Sequence, residues 1–116
     1  MTFSDLQDKI YSVLSNLIKD KLGLSISYID CSGDYKIIEI VDIFQAQDES
    51  VIDLCKFNIK KLLIETFDWK CTSDFNLPYS SYNIVESRLI FELTQEQVNV
   101  LIGYCGIIGG KYGNNT

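Results

Sequence analysis

Ten consecutive residues from Tyr35 to Phe44 read Tyr-Lys-Ile-Ile-Glu-Ile-Val-Asp-Ile-Phe. β-Branched residues dominate this run and no proline interrupts it, so it is expected to form a strand. A strand points successive side chains to opposite faces, and here the apolar residues occupy odd and even positions alike. Such a strand suits the interior of a sheet better than its edge. Glu39 and Asp42 are separated by an odd number of residues and therefore belong to opposite faces. Upstream, Leu24 to Cys31 alternates, and Cys31-Ser32-Gly33-Asp34 supplies turn chemistry, so the two runs are expected to pair as a hairpin.

Three segments carry the helical period instead. Leu6, Ile10, Val13, Leu14, Leu17 and Ile18 follow a Ser4-Asp5-Leu6-Gln7 capping box, and Gly23 is a natural stop, giving a helix over about 4–22. Asp48 or Ser50 is placed to cap a second helix ending near Phe67. Its stripe runs through Val51, Cys55, Ile59, Leu62 and Leu63, with Lys56, Lys60 and Lys61 expected on the solvated side. A second capping box, Thr94-Gln95-Glu96-Gln97, opens a last helix to about Tyr104 or Cys105, with Leu93 and Val98 spaced as a hydrophobic staple.

Between the second and third helices the pattern is weaker. Trp69, Cys71, Ser73 and Phe75 permit a short strand, and Leu77-Pro78-Tyr79-Ser80-Ser81 reads as a loop. From Tyr82 to Leu93 the alternation returns, with Val85, Leu89, Phe91 and Leu93 on one face and Glu86, Arg88 and Glu92 on the other. The order α-β-β-α-(β)-β-α over residues 1–116 implies a single α+β domain, a mainly antiparallel sheet with helices packed on one face. At 116 residues and 47% hydrophobic content, such a domain has enough apolar surface for its own core.

Chemistry is constrained mainly by what is missing. No histidine is present, which excludes Ser-His-Asp and Cys-His catalysis and removes the usual ligand of zinc and non-haem iron. Cys31, Cys55, Cys71 and Cys105 stand singly, without C-x₂₋₄-C spacing, and read as reduced structural thiols. Gly110-Lys111 resembles the end of a phosphate loop only superficially, because those glycines follow a helix rather than precede one. Accordingly no catalytic residue, metal or cofactor is expected. With one arginine and a formal net charge of −6, direct nucleic-acid binding is not expected either. No secretory leader or membrane span is legible, and a cytoplasmic setting is the expectation.

The charge is unevenly distributed. Asp30, Asp34, Glu39, Asp42, Asp48, Glu49 and Asp53 face only Lys36 within residues 30–53, whereas acids and bases balance over the remainder. A concentrated acidic surface steers a basic partner and confers specificity. Trp69, Phe75, Tyr79 and Tyr82 form a second candidate surface, since aromatic residues dominate interface hot spots. The reading favoured by these features is a small acidic protein that neutralises or regulates a basic protein partner, such as a toxin or nucleic-acid enzyme. Immunity proteins and enzyme inhibitors are comparable in size and charge alone. One alternative is a structural subunit that forms a homodimer through a strand edge or the aromatic loop. A carboxylate-based metal-dependent enzyme is the remaining one.

Overall fold

The computed structural model describes residues 3–79 and 82–106. Along the chain these form α1 (Phe3–Leu22), β1 (Tyr28–Ser32), β2 (Ile37–Gln45), α2 (Glu49–Phe67), β3 (Cys71–Tyr79), β4 (Ile84–Glu92) and α3 (Gln95–Tyr104). The strands pair antiparallel in one sheet, in the order β1-β2-β4-β3. Thus β2 takes the interior position that its two-sided apolar pattern calls for. The side chains of Ser4 and Tyr79 and the glycine-rich stretch beyond 106 lie outside the described residues.

Register decides which side of the sheet is covered. Ile29 and Cys31 lie opposite Ile40 and Ile38 of β2, which in turn lie opposite Leu89 and Phe91 of β4. All six enter one buried core. To it α1 contributes Ile10, Val13, Leu14 and Ile18, α2 contributes Ile59, Leu62 and Leu63, and α3 contributes Val98 and Leu101. The three helices therefore pack on the same face, as expected for this order of elements.

Local chemistry explains the element ends. α1 stops at Gly23, whose φ of +70° is open to glycine at little cost and whose N–H donates to the Lys19 carbonyl. The β1–β2 turn holds Gly33, Asp34 and Tyr35 all at positive φ. α2 ends differently, on a left-handed Asp68. Asp68 N–H donates to the Ile64 carbonyl at 2.9 Å, and Trp69 N–H donates to the Leu63 carbonyl at 3.3 Å. These two bonds satisfy carbonyls of the last turn, and the left-handed Asp68 turns the chain sharply back toward the core. α3 opens on the anticipated capping box: Thr94 Oγ1 accepts from Gln97 N–H at 3.1 Å, and Gln97 Oε1 accepts from Thr94 N–H at 2.9 Å.

Three sequence expectations are corrected. First, β3 is a nine-residue strand running through Pro78, not a short strand followed by a loop. Proline is tolerated there because β3 is an edge strand, where one row of N–H groups has no ladder partner. Second, Trp69 does not face outward. It is 1% exposed, stacked on Phe67 with ring centroids 4.7 Å apart, and lies 6.0 Å from the Phe91 ring. The turn at Asp68 aims it into the core. Third, Lys56 is buried. Asp74 and Asn76 project from β3 toward α2, so Lys56 ion-pairs with Asp74 and donates to Asn76 Oδ1 at 2.9 Å, while Lys60 reaches Asp74 at 2.7 Å. A lysine on a helix flank can be drawn inward when its neighbour across the sheet is a carboxylate.

Candidate protein-binding surface

The second face of the sheet carries no described helix. Alternation places Tyr28, Asp30, Ile37, Glu39, Val41, Ile43, Phe75, Leu77, Glu86, Arg88, Ile90 and Glu92 on it. One row crosses all four strands as Tyr28, Val41, Arg88 and Phe75. A second places Ile43, Glu86 and Leu77 side by side, and a third places Asp30, Glu39 and Ile90 together.

At the centre is a polar cluster built on Arg88, whose Nε is buried without a hydrogen-bond partner. Arg88 Nη1 donates to Glu39 Oε2 at 2.6 Å, and Arg88 Nη2 donates to Glu86 Oε2 at 2.9 Å and to Tyr28 Oη at 3.2 Å. The Tyr28 hydroxyl donates to Glu86 Oε2 at 3.3 Å. Hydrogen bonding to Glu39 is the main cause holding the guanidinium well above its ordinary range, so it stays charged throughout. Glu86 is buried although it stands on the open side, because Arg88, Tyr28 and their neighbours close over it. Around this cluster Tyr28, Ile37, Ile43, Phe75 and Leu77 each leave 38–46% of their surface exposed. The charge is also unbalanced: Asp30, Glu39, Glu86 and Glu92 stand against Arg88 alone, four carboxylates to one guanidinium.

The residues singled out from the sequence are brought together only in part. Asp30 and Glu39 are direct cross-strand neighbours on the open face, and Phe75 sits in the row of Arg88. Asp34 is at the hairpin tip. Asp42 points the other way, toward the helices. Burial raises its carboxyl above the ordinary range, although Ile43 N–H and the Ser27 hydroxyl act to lower it. Asp48 occupies the N-cap position of α2 without a side-chain cap bond, and Glu49 and Asp53 follow on exposed positions of that helix. The seven acids therefore form no single patch, because strand alternation and the turn into α2 send linear neighbours in different directions. Of Tyr79 only the backbone is described, paired with Ile84.

Tyr28, Ile37, Ile43, Leu77, Glu86 and Arg88 were not singled out from the sequence. Their signal was present in the apolar pattern of β2. Being interior accounts for its hydrogen bonding, but not for apolar side chains on a face that no described helix covers. The four cysteines are free thiols. Burial pushes Cys31 up to about 12 and Cys105 up to about 11, which suits small core residues rather than nucleophiles. Among the described residues no three Cys, Asp or Glu side chains converge as a metal site, and no helix is long and apolar enough to cross a membrane. No family model matches the sequence, and neither a curated protein nor a solved structure shows significant similarity to it.

Proposed function

We propose that this chain is a non-catalytic binding protein that neutralises or regulates a basic protein partner, such as a toxin or a nucleic-acid enzyme, seated on the open face of its sheet. One observation carries the reading: four large apolar side chains, Ile37, Ile43, Phe75 and Leu77, ring a hydrogen-bonded cluster of Tyr28, Glu39, Glu86 and Arg88 on a sheet face with an acidic excess. Burying such side chains contributes about 1.5–3 kcal/mol each, and the polar cluster, hydrogen-bonded internally except at the buried Arg88 Nε, sets register. The sign of the occupant follows from the carboxylates. A second copy docked face to face would set like charges against one another, whereas a partner rich in lysine and arginine is attracted and steered at long range. Compared with the acidic run between residues 30 and 53, the surface is shifted: it keeps Asp30 and Glu39, takes Phe75 from the aromatic candidates, and adds Glu86, Glu92 and the other apolar side chains.

Affinity capture from the source organism tests this reading, using the parent chain and an Ile43→Lys/Phe75→Lys variant across a salt series. The expected result is a basic protein retained by the parent, released by rising salt and lost by the variant. Capture that is equal for both baits, or a captured protein of acidic character, sinks the proposal.

A further inference from the structure

Leu54, Phe57 and Ile64 form an exposed apolar stripe along α2. The outer edge of β3 is a different kind of surface, because its backbone has bonds left to make. Leu93 N–H donates to the Lys36 carbonyl at 2.7 Å and Ala46 N–H to the Asn83 carbonyl at 3.0 Å, one pair at each end of the β2–β4 ladder. Hydrogen-bonded pairs alternate along an antiparallel ladder, so even-numbered residues of β2 bond to odd-numbered residues of β4. Even-numbered residues of β4 therefore turn to β3, consistent with the Thr72 hydroxyl donating to the Ile90 carbonyl at 3.3 Å. Their partners are Ser73, Phe75, Leu77 and Tyr79. Asp74 and Asn76 consequently direct N–H and C=O outward, where no backbone bond closes them among the described residues.

Every residue from Thr72 to Pro78 is exposed. Edge strands are commonly blunted by proline and by bulges, and here both devices sit at the ends of the exposed run. Pro78 has no N–H to direct outward, and the register shift between Cys71 and Ser73 leaves Thr72 without a β4 partner of its own. Thr72 and Pro78 are equally far from Phe75. The regular stretch between them is therefore symmetric about Phe75, with Asp74 and Asn76 as its outward positions. Lys56 pairs with Asp74 and donates to Asn76 Oδ1, whereas the Asn76 amide nitrogen has no partner among the described residues. The β1 edge lacks this self-complementarity. Its five residues centre on Asp30, so a copy paired across it would set carboxylate against carboxylate.

We infer that the outer edge of β3 pairs antiparallel with the same edge of a second copy, about a two-fold axis through Phe75. The contact is isologous, so Asp74 of each copy forms a hydrogen-bonded pair with Asn76 of the other. Each carboxylate then meets an unpaired amide N–H and a lysine rather than a second carboxylate. Phe75 falls on the non-hydrogen-bonded position, where side chains approach most closely, and packs on its counterpart. Ser73 lies opposite Leu77. Thr72 and Pro78 lie opposite each other, so the missing N–H falls where the strand is already irregular. The two four-stranded sheets become one continuous sheet with both open faces on the same side.

Sedimentation equilibrium and cysteine cross-linking of the full chain test this, with circular dichroism to confirm that each variant is folded. The parent is expected to approach twice its 13.2 kDa chain mass with rising concentration. Asn76→Asp sets carboxylates opposite each other and should weaken dimerisation about tenfold, because symmetry doubles every repulsive contact. Ile43→Lys, two strands from the axis, should dimerise like the parent, which separates this contact from the open face. Under mild oxidation Phe75→Cys should cross-link to itself above the parent's background, since facing residues at that position lie within disulfide reach. Ser73→Cys and Leu77→Cys should each cross-link poorly alone and readily when mixed. That complementation is particular to this register. A parent that stays monomeric up to about 1 mM, a dimer indifferent to Asn76→Asp or lost in Ile43→Lys, or cysteine variants that break this pattern would each overturn the inference.

Discussion

Asp74 and Asp42 show how one residue type takes opposite roles on the same inner face of the sheet. Burial acts to raise Asp74, but hydrogen bonds from Lys56 and Lys60 outweigh it and the carboxyl is lowered overall. Asp42 has no lysine partner among the described residues, and burial keeps it raised. A carboxyl lowered in the native state adds stability at pH values above its unfolded range near 4, and that stability is lost as pH falls through the native value. Removing Asp74 leaves Lys56 buried without its counter-charge, which is costlier than losing the pair as a whole. Asp74→Ala is therefore expected to cost about 2 kcal/mol at pH 7. Lys56→Met should cost under about 1 kcal/mol, because Asp74 keeps Lys60 and the buried site receives a chain of similar length. Urea unfolding at pH 7 checks the order, and repeating it toward pH 2 should shrink the Asp74→Ala deficit. The reverse order, or a deficit that persists in acid, would show that the pair is not what stabilises this flank.

At the scale of elements, the Gln97 side chain hydrogen-bonds the start of α3 to the end of α2. Gln97 closes the capping box and its Nε2 donates to the Asp68 carbonyl at 3.1 Å, at the residue that terminates α2. Thr94→Ala removes the acceptor for Gln97 N–H and should cost about 1 kcal/mol, lowering the melting temperature by about 4 °C. Thr94→Ser should retain nearly all of it, and equal losses in both variants would assign the effect to the threonine methyl instead. This box was legible in the sequence because capping is local: donor and acceptor lie three residues apart. So were the bounds of all three helices and the interior place of β2, each of which follows from short-range periodicity. What escaped depended on partners distant in sequence. Pro78 reads as a loop until the edge position of β3 is known. Lys56 reads as solvated until Asp74, eighteen residues on, is placed across from it. Trp69 reads as surface until Asp68 adopts a left-handed turn that points it inward. The acidic run between residues 30 and 53 is contiguous in sequence, yet alternation separates Glu39 from Asp42 across the thickness of the sheet.

For the whole molecule, a helical layer on one side of the sheet leaves two apolar surfaces facing away from each other. The sheet face lies on one side of the core, and the exposed stripe of α2 on the other. Substitutions this far apart with no shared partners act almost independently. Ile43→Lys/Phe75→Lys should accordingly abolish partner binding while leaving the fold, read by circular dichroism, unchanged. Leu54→Glu/Phe57→Glu should leave the solution affinity for the partner unchanged. Titration calorimetry of the two variants against the partner separates the two surfaces. Loss of solution affinity in the α2 variant would mean that the two surfaces are one continuous site.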